Sequence, residues 1–387
     1  MKRLLWVGAL LGLVVAAGGL LVAAAGVIPI RASSGHWPIT RWFLEFSMER
    51  SVSTYALGTE VPDLSDSALV VLGAAHYETG CRSCHGAPGR ARSGVALGLT
   101  PSPPILAPIV TRWKTEELFY LVKHGVKMTG MPAWPAVGRD DEVWAIVAFL
   151  LELPDLSEEG YEELAFGAPA PAGSAREAVI PESDDSRTRA SPVAARCARC
   201  HGLDGASRGV GAFPRLAHQS YEYLVASLDA YRGGFRPSGI MEPIASSLAP
   251  EMVHEVAEHY ASVGRSVTDT PETDADRDPT TLVSPIGVAT AAPSLARGEA
   301  IAREGLPEQN VPPCVDCHGP IDRARNPRFP SLAGQHAGYL VGQLRLFEQD
   351  RRGGSAYAGI MPLVVRGMDE EAMRDVAAWY ASLPIGR

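Results

Sequence analysis

One five-residue pattern, Cys-x-x-Cys-His, occurs three times in the 387-residue chain and uses all six of its cysteines. The copies cover residues 81–85, 197–201 and 314–318. Residues three and four apart on a helix share a face, so both thiols and the imidazole point the same way. The thiols can form thioethers to the two vinyl groups of one porphyrin, and the imidazole can bind the iron as proximal ligand. The pattern therefore predicts three covalently bound haem c groups.

Each predicted haem has two attachment residues and one proximal ligand. The attachment residues are Cys81, Cys84, Cys197, Cys200, Cys314 and Cys317. The proximal ligands are His85, His201 and His318. A zinc knuckle and a thioredoxin-like redox pair are the alternative interpretations of Cys-x-x-Cys. Zinc would need a second ligand pair nearby, and none follows at zinc spacing. A redox pair does not need the trailing histidine three times.

The ligand on the opposite side of each iron decides whether the protein carries electrons or catalyses a reaction. Three methionines, Met131, Met241 and Met361, hold the same position along the chain, in predicted loops next to glycine or proline and before the last helix of each segment. They are the predicted sixth ligands, and Met128 is the competitor of Met131. Such His/Met ligation saturates the iron, so no catalytic residue is predicted.

The N-terminal segment carries Lys2 and Arg3 before an apolar run from Leu4 to Ile30. A signal peptide has an apolar region of only about 7–15 residues. We therefore predict an uncleaved transmembrane anchor at 1–30, with cleavage near Ala23–Gly26 as the alternative. The two leading charges place the N-terminus in the cytoplasm. The haem domains would then face the periplasm from a single-pass anchor in the bacterial inner membrane.

Residues 36–52 follow this run and place aromatic side chains at helical spacing. Ile39, Trp42, Phe43 and Phe46 lie on one face of a helix that can begin at Pro38. Such a face could lie at the lipid interface or could pack on the first haem domain. The sequence leaves these two alternatives open.

The remaining chain divides by motif and composition. The predicted segments are a membrane-proximal region 31–65, domain 1 at 66–155, a linker 156–190, domain 2 at 191–264, a linker 265–293 and domain 3 at 294–387. The linkers are acidic and rich in small residues and proline, which cannot bury a core. They account for most of the net charge of −9, and no basic patch interleaved with aromatics predicts nucleic-acid binding.

Residues 190–264 and 294–387 are internal repeats. They share Cys-x-x-Cys-His-Gly, Phe-Pro-x-Leu-Ala-x-Gln, Tyr-Leu-x-x-x-Leu, an Arg-Gly-Gly turn and the methionine after it. The second copy gains four residues before its Gly353-Gly354 pair, and one extra helical turn would accommodate them. With these motifs the chain resembles class I c-type cytochromes, and residues 190–387 resemble the two-domain dihaem cytochromes of the c4 type. Residues 66–155 resemble a generic cytochrome c domain.

The resemblance implies an all-α fold with three cytochrome c-like haem domains, and the apolar run at 1–30 places these domains behind an N-terminal transmembrane helix. It also implies a role between membrane quinol-oxidising enzymes and a terminal oxidase. The partners that it implies are a quinol–cytochrome c oxidoreductase and a terminal oxidase, and the apolar run adds the membrane. The alternative is a cytochrome subunit of a periplasmic quinoprotein or flavoprotein dehydrogenase. A haem peroxidase is a third, weaker alternative, because it needs a vacant or displaceable ligand.

Overall fold

The computed structural model describes residues 2–28, 30–167, 192–208, 211–266, 292–320 and 325–385. Within these ranges every regular element is helical, and no strand occurs apart from two isolated bridges, Ala87 with Arg90 and Leu306 with Val311. The predicted all-α class is therefore confirmed.

The helices fall into an N-terminal pair and three groups, each with its own hydrophobic core. The N-terminal pair is α1 (Lys2–Ala24) and α2 (Pro38–Tyr55). Residues 67–166, the first unit, contain α3 (Ser67–Gly80), α4 (Arg82–His85), α5 (Gly94–Leu97), α6 (Thr115–His124), α7 (Asp140–Glu152) and α8 (Glu158–Phe166). Residues 192–266, the second unit, contain α9 (Pro192–His201), α10 (Tyr221–Arg232), α11 (Met241–Ser246) and α12 (Pro250–Ser266). Residues 295–382, the third unit, contain α13 (Leu295–Glu304), α14 (Val315–His318), α15 (Ala337–Glu348), α16 (Ile360–Val365) and α17 (Glu370–Ser382).

Helix α1 is long and apolar enough to cross a bilayer. Its span Leu5–Ala24 has a mean hydropathy of 2.4 and buries nothing against the rest of the protein. A signal sequence near an N-terminus can also form an apolar helix that meets this minimum length and hydropathy. The helix predicted at 1–30 is therefore present, and both alternatives fit it.

Helix α2 divides into two halves with different surroundings. Its C-terminal half contacts α6, where Val52 is buried and the Ser53 hydroxyl donates a 2.6 Å hydrogen bond to Glu117. Its N-terminal half leaves the large apolar side chains of Ile39, Trp42, Phe43 and Phe46 exposed, and Trp37, directly before the helix, is exposed as well. The C-terminal half of α2 therefore packs on the first unit. The aromatic face of the N-terminal half is exposed, so the alternative that it lies at the lipid interface stays open.

The first unit is built on the crossing of α3 and α7. Gly73 of α3 lies directly against the backbone of Ala145, and a Cβ there would overlap the Ala145 carbonyl group. Gly298 of α13 meets Asp375 of α17 in the same way in the third unit. A glycine therefore permits the close approach of α3 to α7 in the first unit and of α13 to α17 in the third.

The predicted linker at 156–190 begins instead with helix α8, which packs on α3. Tyr161 and Ala165, four residues apart, are fully buried, and the Tyr161 hydroxyl donates to Glu78 at 2.6 Å. Most residues of this segment are acidic or small, so the composition did not predict that Tyr161 and Ala165 form an apolar stripe on a helix. Residues 168–191 and 267–291, which include the rest of both predicted linkers, lie outside the described residues, and the other domain boundaries stay predictions.

The four extra residues of the second repeat copy do not add a helical turn. Helices α10 and α15 each have 12 residues. The inserted residues 349–352 follow α15 as an irregular segment. This segment carries Arg351 and Arg352, which reach Val137 of the first unit and Tyr223 of the second. The insertion therefore contributes to contacts between units.

Candidate haem sites

Each Cys-x-x-Cys-His motif forms a single helical turn. The amide of His85 donates to the carbonyl of Cys81 at 3.0 Å, and that of His318 donates to Cys314 at 2.9 Å. The middle motif closes helix α9. None of the six cysteines forms a disulfide, and all six are half-buried. Both thiols and the imidazole of each motif thus belong to one turn, as the spacing predicts.

The imidazole of each motif is held by a proline carbonyl. The Nδ1 atom lies 2.9 Å from the Pro104 oxygen in His85, 3.1 Å from Pro214 in His201 and 2.9 Å from Pro330 in His318. A carbonyl only accepts hydrogen bonds, so each Nδ1 carries the proton and each Nε2 keeps its lone pair. This is the tautomer and the outer contact that metal-bound histidines use. The motif residues therefore fit a covalently held haem c.

Burial keeps these rings neutral, as iron ligation requires. It lowers the pKa of all three imidazoles, that of His318 to about 4, against the opposing effect of the proline carbonyls. The motif spacing alone does not point to the three prolines. The repeated Phe-Pro pair was a usable signal for Pro214 and Pro330. Pro104 was hidden in a loop with several prolines.

The first cysteine of each motif packs against the core of its unit. Burial raises the pKa of Cys81 to about 12, and raises those of Cys197 and Cys314 to about 11. Redox-active thiols have a lowered pKa, so this environment disfavours the thiol–disulfide alternative. Among the described residues, no cluster of three or more His, Cys, Asp and Glu side chains could hold a metal ion.

The three predicted sixth ligands are half-buried, and two lie in short helices instead of loops. Met241 begins α11, and Met361 is the second residue of α16. A glycine precedes the Ile-Met pair in each repeat, and for this reason the sequence predicts a loop there. The residues that follow the glycine are compatible with a helix and form one. Met131 does lie in an irregular segment, where its carbonyl accepts from Val126 at 3.1 Å. Its competitor Met128 is 93% exposed and has a positive φ of 60°.

The second and third units meet through a reciprocal pair of glutamines from the repeated Phe-Pro-x-Leu-Ala-x-Gln motif. The Gln335 amide accepts from the Arg215 amide and donates to its carbonyl, both at 3.0 Å. The Gln219 amide binds Ser331 in the same way, at 3.1 and 2.8 Å. Arg215 and Ser331 directly follow the prolines that hold the two imidazoles. The glutamines therefore join the proximal sides of two haem sites.

A buried cation lies in the same interface. The Arg236 guanidinium donates to the Tyr339 hydroxyl and to Gln343, both at 2.8 Å, and lies over the ring of Tyr231. No carboxylate pairs with Arg236 in the described parts of the chain. Burial raises the pKa of Tyr223, but Arg352 and Arg236 outweigh it and lower that pKa to about 8. A buried positive charge without a carboxylate partner is expected to have an acidic group nearby. The propionates of a bound haem are acidic and would supply such a group.

Each unit is helical and contains a Cys-x-x-Cys-His motif whose histidine Nδ1 is bound to a carbonyl. This combination is typical of c-type cytochromes. A profile of "Cytochrome C oxidase, cbb3-type, subunit III" matches residues 68–150, and the profile "Cytochrome c" matches residues 190–256. The third motif, Cys314–His318, lies outside both matched ranges. The chain belongs to the class I c-type cytochromes, and the similarity to cytochrome c4 proteins covers about half of it.

Individual relatives agree with this assignment. The chain is 34% identical to the thiosulfate dehydrogenase electron acceptor of Stutzerimonas stutzeri, over 50% of this chain and 82% of the relative. It is 29% identical to cytochrome c4 of Pseudomonas aeruginosa, over 49% of this chain and 85% of the relative. A thiosulfate dehydrogenase structure from Marichromatium purpuratum matches with 32% identity and a TM-score of 0.39, over 49% of this chain and 37% of that one. On the strength of the two family matches and the two curated relatives, the chain is an electron-transfer cytochrome c.

Truncating the interface glutamines tests the reciprocal contact. We expect Gln335→Ala and Gln219→Ala each to cost roughly 1–3 kcal/mol, because each strands a backbone donor and acceptor in a buried interface. Urea denaturation followed by circular dichroism measures the loss of unfolding free energy. The control is Gln349→Ala, whose side chain is exposed after α15. Equal stability of the Gln335 and Gln349 variants would contradict the interface.

Proposed function

We propose that the chain is a membrane-anchored trihaem c-type cytochrome of the periplasm that carries electrons from a quinol-oxidising complex toward a terminal oxidase. The observation that carries this proposal is the threefold recurrence of one proximal arrangement, a helical Cys-x-x-Cys-His turn with its imidazole bound to a proline carbonyl. When bound, each haem supplies an iron that exchanges one electron. The attachment cysteines are Cys81, Cys84, Cys197, Cys200, Cys314 and Cys317.

The proposed axial ligands are His85 with Met131, His201 with Met241, and His318 with Met361. A histidine and a thioether would hold each iron from its two sides, and this ligand pair would raise the reduction potential. The chain then leaves no open position for oxygen or peroxide. This supports electron transfer over a reaction at haem, such as that of a peroxidase.

A second candidate differs in the electron donor. Two relatives, from Stutzerimonas stutzeri and Thiomonas intermedia, are named as electron acceptors of thiosulfate dehydrogenase, at 34% and 31% identity. This observation favours a periplasmic dehydrogenase as the source of electrons. The proximal sites and the axial ligands would serve either donor without change.

The ligand assignment has a direct spectroscopic test. We expect three thioether-bound haems per chain by pyridine haemochrome, and a weak sulfur-to-iron band at the red end of the oxidised spectrum. Each of Met131→Ala, Met241→Ala and Met361→Ala should remove about a third of that band, because one of three thioether ligands is lost. The mutated site should then bind carbon monoxide in the ferrous state.

Met128→Ala is the matched control for Met131→Ala, because it changes an exposed thioether three residues away. It should leave the band intact. Rapid carbon monoxide binding by one haem of the unaltered protein would refute saturation at that site. A haem content of two or fewer would refute the trihaem assignment.

Membrane attachment is expected to depend on α1. Replacing residues 2–30 by a cleavable signal should release a soluble cytochrome, because the span Leu5–Ala24 is the candidate anchor among the described residues. Fractionation of periplasm and membranes, with the full chain as control, measures the outcome. N-terminal sequencing of the full chain that begins near Gly26 would show cleavage and contradict the anchor. A truncated product that still sediments with membranes would indicate that the exposed aromatic face of α2 binds lipid.

The two donors can be separated by reduction kinetics. We expect the oxidised protein to be reduced faster by a quinol–cytochrome c oxidoreductase with quinol than by thiosulfate dehydrogenase with thiosulfate. Stopped-flow absorbance of the haem bands measures both rates, and mixtures lacking each enzyme give the background. The opposite order of rates would favour the dehydrogenase acceptor.

A further inference from the structure

Five consecutive residues of the second unit, 235–239, lie between the two other units and lead directly to the Met241 segment. On one side the third unit holds them. The Gly353 amide donates to the Phe235 carbonyl at 2.8 Å, and Arg236 is bound by Tyr339 and Gln343. The segment that precedes a proposed iron ligand is therefore part of an interface.

On the other side the first unit holds the same segment. Arg139 donates to the Pro237 carbonyl at 2.7 Å. The Glu142 carboxylate accepts from the Ser238 hydroxyl and from the Gly239 amide, both at 2.7 Å. Glu142 belongs to helix α7 of the first unit and is only 3% exposed.

Each oxygen of the Glu142 carboxylate faces two donor groups. Its Oε1 accepts from Ser238 and lies 2.9 Å from Arg139, and its Oε2 accepts from Gly239 and from the indole of Trp134 at 3.0 Å. Burial raises the pKa of Glu142, and the Arg139 guanidinium opposes this in part. Four converging donors match an ionised carboxylate, and each oxygen takes two of them.

These contacts continue to Met241 and start near Met131. The Ser238 hydroxyl that binds Glu142 also accepts from the Met241 amide at 3.1 Å. Gly239 lies against the Trp134 ring, where a Cβ would overlap the indole. Trp134 is three residues after Met131, and its amide donates to the Lys123 carbonyl at 3.0 Å. One buried carboxylate thus connects the methionine segments of two units.

We propose that Glu142 of the first unit is a positioning residue for the sixth ligand of the second unit, holding the 238–241 backbone so that the Met241 thioether reaches its iron. This inference rests on the proposed function, in which Met241 is that ligand. Docking of the first unit thereby completes the haem site of the second unit. Ligation of that haem by Met241 depends on Glu142, which lies 99 positions earlier in the chain.

The variant Glu142→Gln tests this role. A glutamine has one acceptor oxygen, so its NH₂ group faces two of the four donors, and neither the Gly239 amide nor Arg139 can accept a hydrogen bond. We expect the oxidised protein to lose about a third of its sulfur-to-iron band and to bind carbon monoxide at one ferrous haem. Glu152→Gln, an exposed position at the end of the same helix, should leave both signals unchanged.

Combined variants identify the haem that responds. Glu142→Gln should cause no further loss in a Met241→Ala background, and a second loss of equal size in a Met131→Ala background. Retention of the full band in Glu142→Gln, while Met241→Ala loses its third, would overturn the inference. Retention of the band in Met241→Ala would instead overturn the ligand assignment on which it rests.

Haem content per chain is measured for every variant, because unfolding would also abolish ligation. If Glu142→Gln lacks haem, Ser238→Ala decides, since it removes only the hydroxyl that joins Glu142 to the Met241 amide. A weaker sulfur-to-iron band and faster carbon monoxide binding at one haem are expected there. An unchanged band in this variant would then contradict the positioning role.

Discussion

The hydrogen bond from each motif imidazole to a proline carbonyl is the constraint on which the candidate sites depend. It fixes the tautomer and the orientation of the ring, and without it Nε2 could carry the proton and would not be a ligand. The carbonyl comes 12 to 19 residues after the histidine, so the intervening loop must fold back on the motif turn. In the outer units, glycines at the helix crossings let the two crossing helices approach each other closely.

This constraint extends across the second and third units, because the residue after each proline is bound by the glutamine of the other copy. A repeat pair related in this way gives each proximal loop the same support. The symmetry is broken by the inserted residues 349–352, whose arginines reach the first and second units. Duplication accounts for the similar proximal sites, whereas the insertion accounts for contacts that only one copy makes.

The local chemistry could be predicted from the sequence, and the contacts between units could not. Cysteine spacing predicted the helical turns of the three motifs, because each turn is formed within five residues. The short helices at Met241 and Met361 and the helix α8 were missed, since each depends on packing that composition does not reveal. Glu142 follows Asp140 and Asp141 at the start of α7, where acidic residues commonly stabilise the helix dipole. Its partners Ser238 and Gly239 lie almost 100 residues away, so no local pattern distinguished it from a surface charge.

The contacts between units differ in kind from those that a carrier uses to meet its partners. Glu142, Gln219, Arg236 and Gln335 are all buried, and buried pairs are screened by salt much less than exposed ones. Exposed charges steer the association of a carrier with its partners and influence their release, and both effects depend on ionic strength. An electron carrier with several candidate haem sites needs fixed internal distances and exchangeable external contacts. Placing the internal hydrogen bonds out of water meets the first need, because changes in ionic strength that release a partner leave the relation between the units unchanged.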